Sequence, residues 1–91
     1  MTSTNGLVSQ EHVVFTEFDA GEGILVDLNT KKYFQLNETG TIIWRGLEKK
    51  QTFEEIVGEI TAAYDVTPEH AAESVRKLLD NLRAFKLVRT A

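Results

Sequence analysis

The hydrophobic period of this chain changes at Asn37, and that change limits the folds open to it. Before Asn37 the apolar residues alternate, and after it they recur every three or four positions. His12 to Phe18 (HVVFTEF) is dense in β-branched and aromatic residues, as a strand requires. Residues 19–23 read as a turn in which Gly21 and Gly23 can take positive φ. In the next segment Ile24, Val26 and Leu28 share one face, while Leu25 and Asp27 share the other. Residues 29–31 form a second turn, and Lys32 to Leu36 a third strand. Three short strands joined by tight turns predict an antiparallel meander.

Beyond Asn37 the signals are helical. Tyr33-Phe34-Gln35-Leu36 runs without a loop into Asn37-Glu38-Thr39-Gly40, where Asn37 is a strong N-cap type. Glu38 follows in the first turn, where the helix dipole favours a carboxylate. Ile43 and Leu47 stand four apart, Ile42 and Trp44 widen the apolar surface, and Trp44 is expected in the core. Gly40 and Gly46 weaken this helix, each by about 1 kcal/mol against alanine if interior. Gly46 either marks the helix end or admits a close-packed neighbour.

A second helix opens with the capping box Thr52-Phe53-Glu54-Glu55. Its apolar stripe is Phe53, Ile56, Val57, Ile60 and Tyr64. A third opens with Thr67 as N-cap and Pro68 at the first helical position. Its core stripe is Ala71, Val75, Leu78, Leu82 and Phe85, with Leu87-Val88 packing back afterwards. Strands first and helices second predict an α+β domain of three strands followed by three helices.

Composition then removes whole classes of function. Ninety-one residues make one domain, here 11–91, just large enough to close a single core, with residues 1–10 as a flexible tail. Without cysteine there is neither a disulfide framework nor a thiolate metal site. The longest apolar runs are three or four residues, and the N-terminus lacks the pattern of a secretory signal. A cytoplasmic protein is expected. His12 and His70 are remote in sequence, no phosphate loop or hydrolase motif occurs, and Glu54-Glu55 is explained by capping. No metal, no cofactor and no catalysis are expected.

The net charge of −4 argues against broad affinity for nucleic acid or membrane. The last third is the exception, with five basic residues against three acidic ones from residue 69 onward. Helices two and three, joined at Asp65-Val66-Thr67, have the spacing of a helix-turn-helix. Yet the third helix carries Glu69, Glu73 and Asp80, and lacks the Arg/Asn/Gln cluster that base reading prefers. A winged-helix nucleic-acid binder is the alternative from another class, and a structural subunit of a larger enzyme a third.

The strand-to-helix junction also carries a resemblance. The aromatic strand, Leu36-Asn37-Glu38-Thr39-Gly40 and Ile42-Ile43-Trp44, resembles the PqqD-like family. So do Thr52-x-x-Glu55-Ile56-Val57, Tyr64-Asp65-Val66 and Leu79-x-x-Leu82 before Leu87-Val88, so that the similarity spans roughly residues 12–88. That family includes the peptide chaperone of pyrroloquinoline-quinone biosynthesis. It also includes leader-binding recognition elements of ribosomally made, modified peptides, among them stand-alone lasso-peptide proteins. The resemblance implies a winged-helix-like fold in which a leader adds as a strand beside the third strand and third helix. Carried over, these are Lys32, Tyr33, Phe34, Gln35 and Leu36, and Pro68 to Phe85. The partners implied are the leader of a precursor peptide and modifying enzymes such as a leader peptidase, cyclase or radical enzyme. The family's glycine before the terminal apolar pair is replaced here by Phe85 or Lys86, a departure that bears on the last turn.

The residues support that reading independently. The third strand of a meander is an edge whose unpaired main chain invites another strand. The same edge could pair with its own copy, so a monomer or weak homodimer is expected. At about 100° per residue, Leu79 and Ala72 extend the apolar arc of the third helix at one margin, with Arg76 and Arg83 beyond them. Val75, Leu79 and Leu82 are therefore expected to line the groove, and Arg76 and Arg83 to meet acidic leader residues. The competing reading makes Leu79 core and both arginines solvated. Phe34 and Leu36 are expected mainly in the core, and Tyr33 as an exposed aromatic anchor.

Overall fold

The computed structural model of the chain describes residues 7–18 and 21–90. Strands β1 (Leu7–Ser9), β2 (Val13–Glu17), β3 (Gly23–Asp27) and β4 (Lys32–Leu36) precede helices α1 (Glu38–Glu48), α2 (Phe53–Ala63) and α3 (Pro68–Ala84), and β5 (Val88–Thr90) closes the chain. The anticipated meander is present as an antiparallel sheet in the order β2-β3-β4. Of the first turn, residues 19 and 20 lie outside the described residues.

One sheet was not anticipated. β1 pairs antiparallel with β5, Val8 opposite Arg89, and Gln10 N–H donates to Leu87 O at 3.2 Å. Residues 7–9, expected within the tail, are therefore part of the fold, while 1–6 lie outside the described residues. Leu87 and Val88 pack back as expected and are buried.

All three helix starts form as the sequence dictates. Asn37 Oδ1 accepts from Gly40 N–H at 2.8 Å, and Thr67 Oγ1 from His70 N–H at 3.1 Å. At α2 the box is reciprocal, Glu55 N–H donating to Thr52 Oγ1 and Thr52 N–H to Glu55 Oε1. Gly46 is interior to α1 and allows close packing, since a Cβ there would stand 2.5 Å from Ile56 Cγ1.

The core lies between the inner face of the three-stranded sheet and the helices. Leu25 and Leu36 meet Ile43, Trp44 and Leu47 of α1, Ile56 and Ile60 of α2, and Val75 and Leu82 of α3. Trp44 is core, as expected, and its Nε1 has no hydrogen-bond partner among the described residues. An ion pair between Arg45 and Glu17 ties α1 to β2. Tyr64 O–H donates to Glu38 Oε1 at 3.1 Å, joining the end of α2 to the start of α1. Burial and that carboxylate push the phenol above its ordinary pKa.

Candidate functional site

The site is built on β4, which is held at both ends. At its start, Asp27 accepts from Asn29 N–H at 2.9 Å and Thr30 N–H at 3.2 Å, shaping the hairpin. Burial works to raise the Asp27 carboxyl, but these two bonds and His12, 3.6 Å away, outweigh it and hold it below the usual range. Lys31 completes the turn at φ 65°. At its end, β4 gives way to the Asn37 cap after Leu36. A strand fixed at both ends keeps its register.

The sheet pairing identifies which main-chain groups of β4 have no strand partner among the described residues. Phe18 N–H donates to Glu22 O and Leu28 N–H to His12 O, so the even-numbered residues of β3 bond to β2. Antiparallel alternation then turns Gly23, Leu25 and Asp27 toward β4, where they face Leu36, Phe34 and Lys32. The N–H and C=O groups of Tyr33 and Gln35 are left pointing outward along the edge.

Beside that edge lies an open cleft of about 600 Å³ between β4, the first turns of α1, and α3. Leu36, Gly40 and Ile43 line it from one side, and Ser74, Lys77, Leu78 and Asn81 from α3. One helical turn beyond Asn81, Phe85 stands with its ring centroid 5.5 Å from that of Phe34, tilted 59°. Apolar surface thus meets neutral amides, with Lys77 and Glu22 as the charges at the rim.

The expected site residues divide. Lys32, Tyr33, Phe34, Gln35 and Leu36 form the edge as anticipated, with Tyr33 67% exposed, Phe34 half-buried and Leu36 buried. On α3 the expected margin is the closed one. Val75, Leu79 and Leu82 are buried in the core rather than lining a groove. Arg76 lies over the Phe53 ring of α2, 5.5 Å from guanidinium carbon to centroid, and Arg83 is exposed on the same side. The α3 residues that face the cleft are instead Ser74, Lys77, Leu78 and Asn81, with Phe85 beside Phe34 at its end. Leu78 and Phe85 belong to the predicted core stripe, yet Leu78 is half-buried and Phe85 60% exposed. The signal was present, because these five recur at helical spacing on the opposite shoulder of the same apolar arc.

The last turn of α3 accommodates the missing glycine. Lys86 takes φ 60° itself, its N–H donating to Arg83 O at 3.0 Å, while Leu87 N–H donates to Leu82 O at 2.9 Å. This is a Schellman motif with lysine in the left-handed position.

Among the described residues no group of three or more His, Asp or Glu could hold a metal ion, and no helix is long and apolar enough to cross a membrane. A solved structure of TbiB1 in complex with the TbiA(beta) leader peptide is similar to this chain at 32% identity and a TM-score of 0.83, covering 92% of this chain and 96% of that one. A lasso peptide synthetase B1 complexed with the leader peptide shares the fold at 20% identity, with a TM-score of 0.83 over 92% and 98% of the two chains. No curated protein sequence matches. The family model for coenzyme PQQ synthesis protein D (PqqD) matches residues 22–88, most of the chain, and the protein belongs to the PqqD family.

Proposed function

We propose that this chain is a non-catalytic adaptor that binds the leader of a precursor peptide as an added strand on β4 and presents it to modifying enzymes. The observation that carries the reading is the free β4 edge opening onto the α3 cleft, in a chain 32% identical to a protein solved with a leader peptide. The pathway proposed is of the lasso type rather than the pyrroloquinoline-quinone one; a lasso peptide synthetase B1 complexed with the leader peptide shares the fold.

The proposed mode of binding is built on that edge. Its main chain pairs with the outward groups of Tyr33 and Gln35, and the side chains at those positions face away from the helices. Leader residues opposite Phe34 and Leu36 point inward, one toward Leu78 and Phe85, the other into the cleft over Ile43 and Gly40. Two apolar anchors two residues apart therefore fit, with an acidic neighbour meeting Lys77. Strand pairing supplies affinity independent of sequence, and the two inward positions supply selection.

The test is titration of the ¹⁵N-labelled protein with a synthetic peptide of the proposed kind, carrying two apolar residues two positions apart and an acidic neighbour. Amide shifts are expected at residues 33–37 and 74–85, with slowed hydrogen exchange at the Tyr33 and Gln35 amides. Shifts confined to α2, or equal shifts with random duplex DNA, would sink the reading.

A further inference from the structure

The open shoulder of α3 is split into two lanes. At about 100° per residue, Leu78 and Phe85 stand next to the buried stripe, and Ser74 and Asn81 lie a further ~20–60° away from it. The inner lane is apolar. The outer lane carries a hydroxyl and a carboxamide, Ser74 half-buried and Asn81 exposed, and both line the cleft. Neither side chain has a hydrogen-bond partner among the described residues, whereas Thr61 of α2 turns its hydroxyl back to Gly58 O at 3.0 Å. Serine and asparagine are also weaker helix formers than alanine, so α3 gains nothing for its own folding from either.

We propose that Asn81, together with Ser74, holds the second main-chain edge of the bound leader. The inference rests on the leader-binding reading above, which gives the leader hydrogen bonds along one edge only. Leader residues opposite Tyr33 and Gln35 turn their N–H and C=O groups to β4. The residues opposite Phe34 and Leu36 turn theirs the other way, toward α3, and these are the two anchors whose side chains point inward. Left unpaired, that far edge would be a row of partly desolvated peptide groups, open to yet another strand. A primary carboxamide suits it, because it offers an acceptor and two donors, the chemistry of the peptide unit itself. Position agrees. Phe85 stands beside Phe34, and Asn81 is one helical turn before Phe85, so Asn81 falls to the anchor opposite Phe34. Ser74 lines the cleft together with Leu36 and falls to the other anchor. The anchors' outward groups recur about 6.7 Å apart along a strand, and Ser74 and Asn81, about 10 Å apart along the helix axis, bracket them. The leader is thereby gripped through its main chain on both edges, and the apolar lane is left to select its side chains.

The experiment uses the full chain and a fluorescent synthetic peptide with two apolar residues two positions apart and an acidic neighbour. Three further versions carry one backbone N-methyl group each, on either apolar residue or on the residue between them. Anisotropy titration of the wild type should show at least a tenfold loss from the methyl group between the anchors, which faces β4. Each anchor methyl group should cost roughly fivefold, the size of one hydrogen bond. Asn81→Leu should weaken the unmethylated peptide roughly fivefold and reduce the penalty at one anchor to under twofold. Ser74→Ala should do the same at the other anchor, and the methyl group between them should still cost tenfold in both variants. Asn81→Gln keeps the carboxamide and should keep the anchor penalty. Anchor penalties that are the same in the wild type and in both folded variants overturn the proposal, as does full affinity of Asn81→Leu for the unmethylated peptide. Failure of the wild type to bind the unmethylated peptide at all is a different result and removes the leader-binding reading first.

Discussion

The two shoulders of α3 flank the same buried stripe, yet one is closed and the other open. On the closed shoulder Arg76 covers the Phe53 ring and Leu79 is buried against the core. On the open one Ser74, Lys77, Leu78 and Asn81 face a cleft, and Phe85 leans on Phe34 at its end. An amphipathic pattern locates the centre of a helix's buried stripe. Which shoulder stays open is decided by where the neighbouring helix docks.

The largest effect should come from the stripe that both shoulders share. Leu82 is fully buried between them, and Leu82→Ala should cost about 2–5 kcal/mol of stability by lost transfer energy and an unfilled cavity. A denaturant unfolding curve measures it, and a loss under about 1 kcal/mol would move the centre of the core away from Leu82. Next is the open shoulder alone. Leu78→Glu places a carboxylate in the path of an apolar leader anchor and should weaken leader binding roughly 30-fold, about 2 kcal/mol. Its unfolding midpoint should fall far less than that of Leu82→Ala. Fluorescence anisotropy with a labelled leader reads the first, and normal affinity in the folded variant would close the open shoulder.

Much of this architecture was legible because its causes are local. The period change at Asn37, the Thr52–Glu55 box and the Thr67-Pro68 start each act within one helical turn, and all three helices begin where those signals stand. The β4 edge was legible for the same reason, as the last strand before a cap. What the sequence hid depends on residues far apart. Pairing Leu7–Ser9 with Val88–Thr90 joins the two ends of the domain through strands of three residues, too short to show a period. Choosing the shoulder requires knowing that Phe53 lies under Arg76, across 23 positions of sequence. Phe85 looked like core because its spacing is right, but the stripe runs past the end of the packed layer.

The helix end offers a smaller effect. Lys86 holds a left-handed conformation that disfavours any side chain, so Lys86→Gly should stabilise the fold by about 1 kcal/mol. Because Leu87 N–H would still cap Leu82 O, Phe85 should keep its place beside Phe34 and leader affinity should not change. A thermal melt shows the gain. Destabilisation instead would mean that the Lys86 side chain makes a contact worth more than the backbone relief.

The smallest effect should fall on the closed shoulder. The Arg76 guanidinium over Phe53 is an exposed cation–π contact, worth about 0.5 kcal/mol at such a site. Arg76→Ala should therefore lower stability by about that much and leave leader affinity within twofold, because the side chain faces α2 and not β4. Arg83→Ala, exposed on the same side, should leave affinity unchanged as well. If Arg76→Ala instead weakened binding tenfold while Leu78→Glu did not, the leader would have to lie against α2, where Phe53 already fills the space. It would then have to displace Phe53 before any strand could pair with β4, and binding would report on α2 amides rather than on Tyr33 and Gln35.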